Sequence, residues 1–449
     1  MPAAPGGREE NEMSGNEEKR FWLRGNFAPV FEETTAEGLA VTGEVPADLN
    51  GHYLRNGANP ASGESAHWFL GNGMVHGVEL REGEALSYRN RYMRTPLFER
   101  GEAEGFDAMG DLDMSLANTH VIEHAGRILA LEEGHRPFEL TRDLESVGPW
   151  DFDGRLDTAM TAHPKICGET GEMLFFGYAM TPPYVTYHRV DAQGRLVQSE
   201  PIEVKGATMV HDFNVTRNHV VFMDLPLVWD LSAAGSGIPI RWSDDYGARL
   251  GVMPREGTNA DVVWYDIDPC YVFHPMNAYE DGDEIVVDVC RSAMMMNPGT
   301  RDEPTRLHRW TIDPVAGKVG ERPLDDRHVE FPRVPDRHVG LPYRYGYAAE
   351  FGSDGPAARA FRKYDLETGA SAAHELGEGR SGGEPVFVPR EDARAEDDGY
   401  LLSFVHDARE NRSELVIVDA GRMEGEPLAR VHLPARVPAG FHGSWIPAA

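Results

Sequence analysis

Four histidines share a local context that suits a metal site. Each follows an apolar residue and precedes a residue that bends or ends a strand: Ala162-His163-Pro164, Val210-His211-Asp212, Phe273-His274-Pro275 and Phe441-His442-Gly443. Imidazole nitrogens bind Zn, Cu, Fe and Ni, and this pattern does not choose among those metals. For any single one of the 18 histidines, the ordinary alternative is a surface or hydrogen-bonded side chain. His76, beside Gly77, indicates packing rather than ligation.

Three glutamates could support such a site. Metal-bound histidines usually donate their second ring N–H to a carboxylate, which fixes the tautomer and raises the basicity of the ligand. Glu133, Glu330 and Glu384 lie in apolar, strand-like stretches of the chain. A solvated surface charge remains the alternative for each of them.

A repeated turn predicts the elements that would position the histidines. An apolar residue, an Asp and then a Gly recur along the chain, and Asp caps such turns while Gly supplies the positive φ. The turn occurs at Asp191, Asp313, Asp365 and Asp419, with a looser copy at Asp143 and room for another near Asp266 or Asp268. A period of roughly 50 residues is the size of a four-stranded propeller blade. The alternative is that Asp-Gly hairpins occur in any all-β protein.

The spacing of the histidines agrees with that period. They are separated by 48, 63 and 168 residues, close to one, one and three blade lengths. In a propeller of seven or eight blades, each histidine would therefore come from a different blade and could reach the central axis.

Composition limits the fold and the partners. The chain has 449 residues with 48 Gly and 31 Pro, which indicates frequent turns and argues against a helical bundle. The formal net charge of −31 disfavours nucleic acid as a partner. Three irregularly spaced cysteines favour a reducing compartment, and we expect a cytoplasmic protein. Residues 1–20 predict a disordered acidic tail without signal or transit peptide character, followed by a single β-propeller domain over 21–449.

The chain resembles the carotenoid cleavage oxygenase family from about Asn26 onward. The matching segments keep one order along the sequence and are Asn26-Phe-Ala-Pro-Val30, Tyr53-Leu-Arg-Asn-Gly-Ala-Asn-Pro60, His67-Trp-Phe69, Gly73-Met-Val-His-Gly77, Phe331-Pro-Arg333, Pro342-Tyr-Arg-Tyr345, Asp397-Asp-Gly-Tyr400 and Phe441-His-Gly-Ser-Trp445. This resemblance implies an all-β fold, a seven-bladed β-propeller with a cap of loops and short helices over an axial metal.

The resemblance also implies the chemistry. One Fe(II) per chain would be held by His163, His211, His274 and His442, with Glu133, Glu330 and Glu384 behind them. Four neutral imidazoles leave two positions on an octahedral ion, so O₂ can bind there as co-substrate while an alkene lies beside it. The implied reaction cleaves a conjugated carbon–carbon double bond into two carbonyl products. An isomerase with the same iron centre and a non-catalytic, ligand-binding propeller are the alternatives.

The substrate class is the last expectation. Family members that act on phenolic stilbenes tend to carry Lys directly before the glutamate of Leu-Ala-Leu-x-Glu, but here that position is Glu132. We therefore favour a carotenoid or apocarotenoid polyene over a hydroxystilbene or similar aromatic alkene. Trp68, Phe69, Tyr92, Phe98 and Glu132 are the residues we expect to line its tunnel. A peripheral membrane contact would serve substrate uptake, and no obligate protein partner is evident.

Overall fold

The computed structural model describes residues 20–101, 110–230, 232, 238–296, 302–352 and 357–448. The expected tail lies outside these residues except for Arg20, which is exposed and whose guanidinium lies 3.0 Å from a Glu64 carboxylate oxygen. The described residues contain one α-helical turn, α1 (Pro96–Glu99), and four short 3₁₀ helices (Phe21–Leu23, Gly25–Phe27, Asn259–Asp261 and Asp336–His338). No helix among them is long and apolar enough to cross a membrane.

The other elements of the described residues are strands. The first half of the chain contains β1 (Thr35–Glu37), β2 (Val41–Gly43), β3 (Gly51–Arg55), β4 (Met74–Arg81), β5 (Glu84–Tyr92), β6 (His120–His124), β7 (Arg127–Leu131), β8 (Phe138–Leu140), β9 (Ser146–Pro149), β10 (Lys165–Ile166), β11 (Met173–Tyr178), β12 (Val185–Val190), β13 (Leu196–Ile202), β14 (Asn214–Val215), β15 (His219–Asp224), β16 (Leu227–Trp229) and β17 (Ile240–Trp242). The second half contains β18 (Ala248–Pro254), β19 (Val263–Ile267), β20 (Tyr271–Asp281), β21 (Glu284–Ser292), β22 (Arg306–Asp313), β23 (Lys318–Pro323), β24 (Val329–Arg333), β25 (Tyr345–Phe351), β26 (Ala358–Asp365), β27 (Ala370–Glu375), β28 (Arg380–Ser381), β29 (Val386–Pro389), β30 (Gly399–Asp407), β31 (Arg412–Asp419), β32 (Ala429–His432) and β33 (Gly443–Pro447).

These strands form a seven-bladed β-propeller, as predicted. Blades 2, 3, 5 and 6 are the antiparallel sheets β6–β9, β10–β13, β20–β23 and β24–β27, and blade 4 is β14-β15-β18-β19 with the β16–β17 hairpin beside it. Blade 7 contains β28 to β32 and takes β2 at its outer edge. Blade 1 has the order β1-β5-β4-β3-β33, so the late strand β33 pairs with β3 and closes the ring.

The core lies between neighbouring blades rather than inside one sheet. In β11, Met173 and Phe175 pack toward blade 2, whereas Leu174 and Phe176 pack toward blade 4. Because successive side chains of a strand point to opposite faces, a strand between two other blades buries both faces. This burial of both faces explains why the sequence of such a strand is a continuous apolar run rather than an alternation of apolar and polar residues.

The repeated Asp turn joins the third and fourth strands of a blade. Asp191 follows β12, whereas Asp313, Asp365 and Asp419 are the last residues of β22, β26 and β31. Each of the four accepts a backbone N–H within its turn. The further copy expected near Asp266 or Asp268 is wrong, because Asp266 lies inside β19 and Asp268 follows it. The equivalent turn of blade 4 spans residues 255–262 and carries a 3₁₀ helix capped by Thr258 and Asp261 instead.

Candidate metal centre and its cavity

The inner strands of four blades bring the four histidines together. His163, His211 and His442 lie just before β10, β14 and β33, and His274 lies near the start of β20. They therefore belong to blades 3, 4, 1 and 5, which agrees with the spacing of one, one and three blade lengths. Their side-chain ligand atoms all lie within 4.8 Å of one another, and the Nε2 atoms of His211 and His274 are 3.1 Å apart.

Three of the histidines are held by the three glutamates singled out in the sequence. The Nδ1 of His442 donates to the Glu384 carboxylate at 3.0 Å, and that of His274 donates to Glu330 at 2.5 Å. The carboxylate of Glu133 contacts Nδ1 of His211. With the proton on Nδ1, each of these rings presents the lone pair of Nε2 to the others.

Burial and charge set the protonation of the cluster. Burial first, and then the neighbouring histidines, hold the pKa of His163 and His442 well below the usual value, so these two rings are neutral. Burial is the largest influence on the pKa of His274 and lowers it, but the charge and the hydrogen bond of Glu330, together with the charges of Asp212 and Glu384, outweigh burial and raise that pKa. The carboxylate behind His274 thus makes the ring more basic, as a good metal ligand requires.

His163 has a different support. Its Nδ1 lies 3.7 Å from a carboxylate oxygen of Asp212, which is paired with the Lys165 ammonium at 2.7 Å. Burial raises the pKa of Asp212, although Lys165 opposes this. Neither Asp212 nor Lys165 was predicted from the sequence, although each lies within two positions of one of the four histidines.

The cluster fits a cation. Two Nε2 lone pairs that face each other at 3.1 Å repel unless a positive charge lies between them, and 3.1 Å is close to the separation of two nitrogens bound at right angles with bonds of about 2.1 Å. His163 Nε2 is buried and has no hydrogen-bond partner among the described residues. A metal ion held by the four rings would satisfy all of these atoms.

Three of the four histidines, His211, His274 and His442, line a cavity of about 780 Å³. Aromatic side chains dominate the wall near the histidines: Trp68, Phe69, Phe273, Phe331 and Phe441. Phe331 has φ +53°, in the left-handed region, and its ring stacks on His274 with centroids 5.3 Å apart. A non-glycine residue in this conformation costs about 1 kcal/mol or more, which the packing around the cluster must offset.

The residues expected to line the tunnel divide into two groups. Trp68, Phe69 and Glu132 do line the cavity. Tyr92 and Phe98 are absent from the described residues that line it, so that expectation is not met. Their rings pack against each other at 5.2 Å, and the Tyr92 hydroxyl donates to the Val30 carbonyl. An aromatic side chain in this part of the chain can line the cavity or pack behind it, and residue type alone did not distinguish these two positions.

Two polar groups of the cavity matter for its chemistry. The Glu132 carboxylate accepts the Gly134 N–H at 3.0 Å and contacts His135. Burial opposes its ionisation, but these partners outweigh burial and lower its pKa, so Glu132 is charged. Tyr178, which the sequence analysis missed, donates to Glu133 at 2.6 Å and thereby extends the His211–Glu133 chain to the cavity wall.

Comparison with known proteins gives consistent matches over nearly the whole chain. The family model described as retinal pigment epithelial membrane protein matches residues 27–447. A carotenoid cleavage oxygenase of Mycobacterium tuberculosis is 38% identical, over 96% of this chain and 98% of its own. A carotenoid 9,10(9',10')-cleavage dioxygenase of Crocus sativus is 35% identical, over 95% and 89%. The crystal structure of a lignostilbene dioxygenase of Pseudomonas brassicacearum superposes with a TM-score of 0.87 at 30% identity, over 95% of this chain and 98% of that one.

Proposed function

Because this chain belongs to the carotenoid cleavage oxygenase family and is an oxygenase, we propose that it is a non-haem Fe(II)-dependent dioxygenase of polyenes. The substrate is a carotenoid or apocarotenoid, and O₂ cleaves one conjugated double bond into two carbonyl products. One observation carries the proposal: four buried imidazoles bring ring nitrogens within 4.8 Å of one another, and three of these rings line an aromatic cavity.

The chain's own residues have distinct tasks in this proposal. His163, His211, His274 and His442 would hold one Fe(II) per chain, and Glu133, Glu330 and Glu384 fix the tautomers of three of them. The bound metal supplies the activation of O₂. The aromatic wall orients the alkene and excludes water, which protects the reacting centre from competing hydrolysis.

The cavity supports a polyene over a phenolic stilbene. Its volume of about 780 Å³ lies in the upper part of the range of small-molecule sites, and most of its wall is apolar. The charged Glu132 in that wall would repel a phenolate, whereas family members that cleave stilbenes tend to carry Lys there. The unpaired, buried state of Cys167, Cys270 and Cys290 supports a reducing compartment, so we also propose a cytoplasmic location.

Cleavage under isotopically labelled O₂ tests the proposal. Purified protein should contain close to one iron per chain and convert a β-apo-carotenal into two fragments that both carry the label. Label in one fragment alone would identify a monooxygenase, and an unlabelled geometric isomer would identify an isomerase. In a side-by-side assay, faster cleavage of a 4-hydroxystilbene such as resveratrol would overturn the substrate ranking.

Glu132→Lys should shift the substrate preference toward the phenol. The new ammonium can stabilise the phenolate of a 4-hydroxystilbene, so we expect its kcat/KM, relative to that of a β-apo-carotenal, to rise about tenfold or more. Glu132→Gln is the matched control, since it removes the negative charge without adding a positive one. An unchanged ratio in the Lys variant would mean that residue 132 does not contact this end of the substrate.

A further inference from the structure

Blade 2 lies between two blades that each provide a histidine, yet none of the four clustered rings comes from it. The first residue of its inner strand β6 is His120, at a position comparable to those of His163 before β10 and His442 before β33. The His120 ring is buried, and its centroid lies 5.3 Å from that of His442 and 6.3 Å from that of His163.

The side chain of His120 joins the backbone segments that carry these two histidines. Its Nδ1 lies 2.9 Å from the carbonyl oxygen of Ala162, the residue before His163. Its Nε2 lies 3.2 Å from the hydroxyl of Ser444, two residues after His442. A carbonyl only accepts, so Nδ1 carries the proton and donates, and Nε2 accepts from the Ser444 hydroxyl. His120 is therefore a neutral ring with both nitrogens in use.

The backbone around His120 is part of the same connection. Asn56 donates from Nδ2 to the His120 carbonyl at 3.2 Å and from its backbone N–H to the His442 carbonyl at 3.0 Å. The His442 N–H in turn donates to the Thr119 carbonyl at 3.1 Å. The His442 segment is thus tied to the start of β6 from both directions.

We propose that His120 is a positioning residue of the metal centre, which sets the separation of His163 and His442 across blade 2. This inference rests on the proposed metal site. His163 differs from the other three histidines because no glutamate among the described residues pairs with its ring. Asp212 lies 3.7 Å from His163 Nδ1, beyond hydrogen-bond distance, so the hydrogen bond from His120 to the Ala162 carbonyl contributes more to fixing the His163 ring.

The test compares His120→Leu with a matched control on the same strand. His124, the last residue of β6, is as buried as His120, and its Nε2 donates to the Gly171 carbonyl at 2.9 Å, on the side away from the cluster. Both Leu variants lose one buried contact between blades 2 and 3. Metal affinity is measured by chelator competition with Fe(II) and Co(II), and the visible spectrum of the Co(II) form reports the ligand geometry.

We expect His120→Leu to weaken metal binding about tenfold or more and to change the Co(II) spectrum, because losses behind metal ligands typically cost 10- to 100-fold. His124→Leu should lower only the melting temperature. His120→Asn keeps a donor near the Nδ1 position and should recover part of the affinity. Ser444→Ala is a smaller change, which serves as the test if His120→Leu does not fold. It should weaken metal binding about fivefold.

The possible results distinguish a failure of the metal site from a failure of the role proposed for His120. Wild-type protein that binds neither metal overturns the metal site and this proposal together. Wild-type protein that binds metal, with Ser444→Ala and His120→Leu matching it in affinity and Co(II) spectrum, overturns the role of His120 alone. A His120→Leu variant that behaves like His124→Leu shows that the residue serves stability only.

Discussion

His274→Ala should leave a folded protein with no stoichiometric iron and with turnover lowered by about a thousandfold or more. The variant removes one of four rings and leaves the half-buried Glu330 without its histidine partner. Metal-ion catalysis is worth several kcal/mol, and each 1.36 kcal/mol is tenfold in rate. The measurements are iron per chain by elemental analysis and kcat on a β-apo-carotenal.

His76→Ala is the control for this variant. His76 is also buried, and its Nδ1 is 2.9 Å from the Tyr88 hydroxyl, but it is not one of the four clustered histidines. We expect this control to lose thermal stability and to keep its iron. If His274→Ala retains one iron per chain and normal turnover, the proposed ligand set is excluded.

Glu384→Gln should bind iron about 10- to 100-fold more weakly while keeping its fold. One carboxylate oxygen accepts from His442 Nδ1 and the other from the Gly443 N–H. The amide of Gln has no charge and one acceptor oxygen, so it can keep only one of these two hydrogen bonds. Glu330→Gln should have a similar effect through His274. Chelator competition measures the affinity, and circular dichroism confirms the fold.

A second Glu–His pair in the chain offers a matched comparison. Glu280 accepts from His219 Nδ1 at 2.9 Å, and His219 is not one of the four clustered histidines. Glu280→Gln should therefore leave iron affinity unchanged. Equal affinities of the Glu280, Glu330 and Glu384 variants would contradict the assignment of the last two as supports of metal ligands.

The sequence predicted the features that repeat. Blade length recurs along the chain, so the turns at Asp191, Asp313 and Asp365 indicated the propeller. The four histidines could be singled out because each lies at the end of an inner strand, beside Pro, Asp or Gly. Family resemblance then pointed to Glu133, Glu330 and Glu384, and the structure brings each of them against one histidine.

The features that do not repeat were missed. Blade 4 has a capped 3₁₀ helix in place of the Asp turn, so Asp266 did not mark the position of a turn. Tyr92 and Phe98 were indistinguishable by type from Trp68 and Phe69, and only packing separates those at the cavity from those behind it. Tyr178 reaches Glu133 from 45 residues away, a contact that depends on how two blades are set side by side.

The position of His442 directly before β33 places the proposed metal site beside the seam that closes the ring. Among the strands that the structure describes, β33 pairs with β3 alone, and its separation from β3 would open the propeller between the first and last blades. The local opening of a strand costs a free energy of its own. A ligand that binds only the closed form increases this opening free energy by mass action. Metal occupancy would therefore slow amide hydrogen exchange in Gly443–Pro447 more than in the outer strands, and loss of metal would make this seam the first site of proteolytic attack.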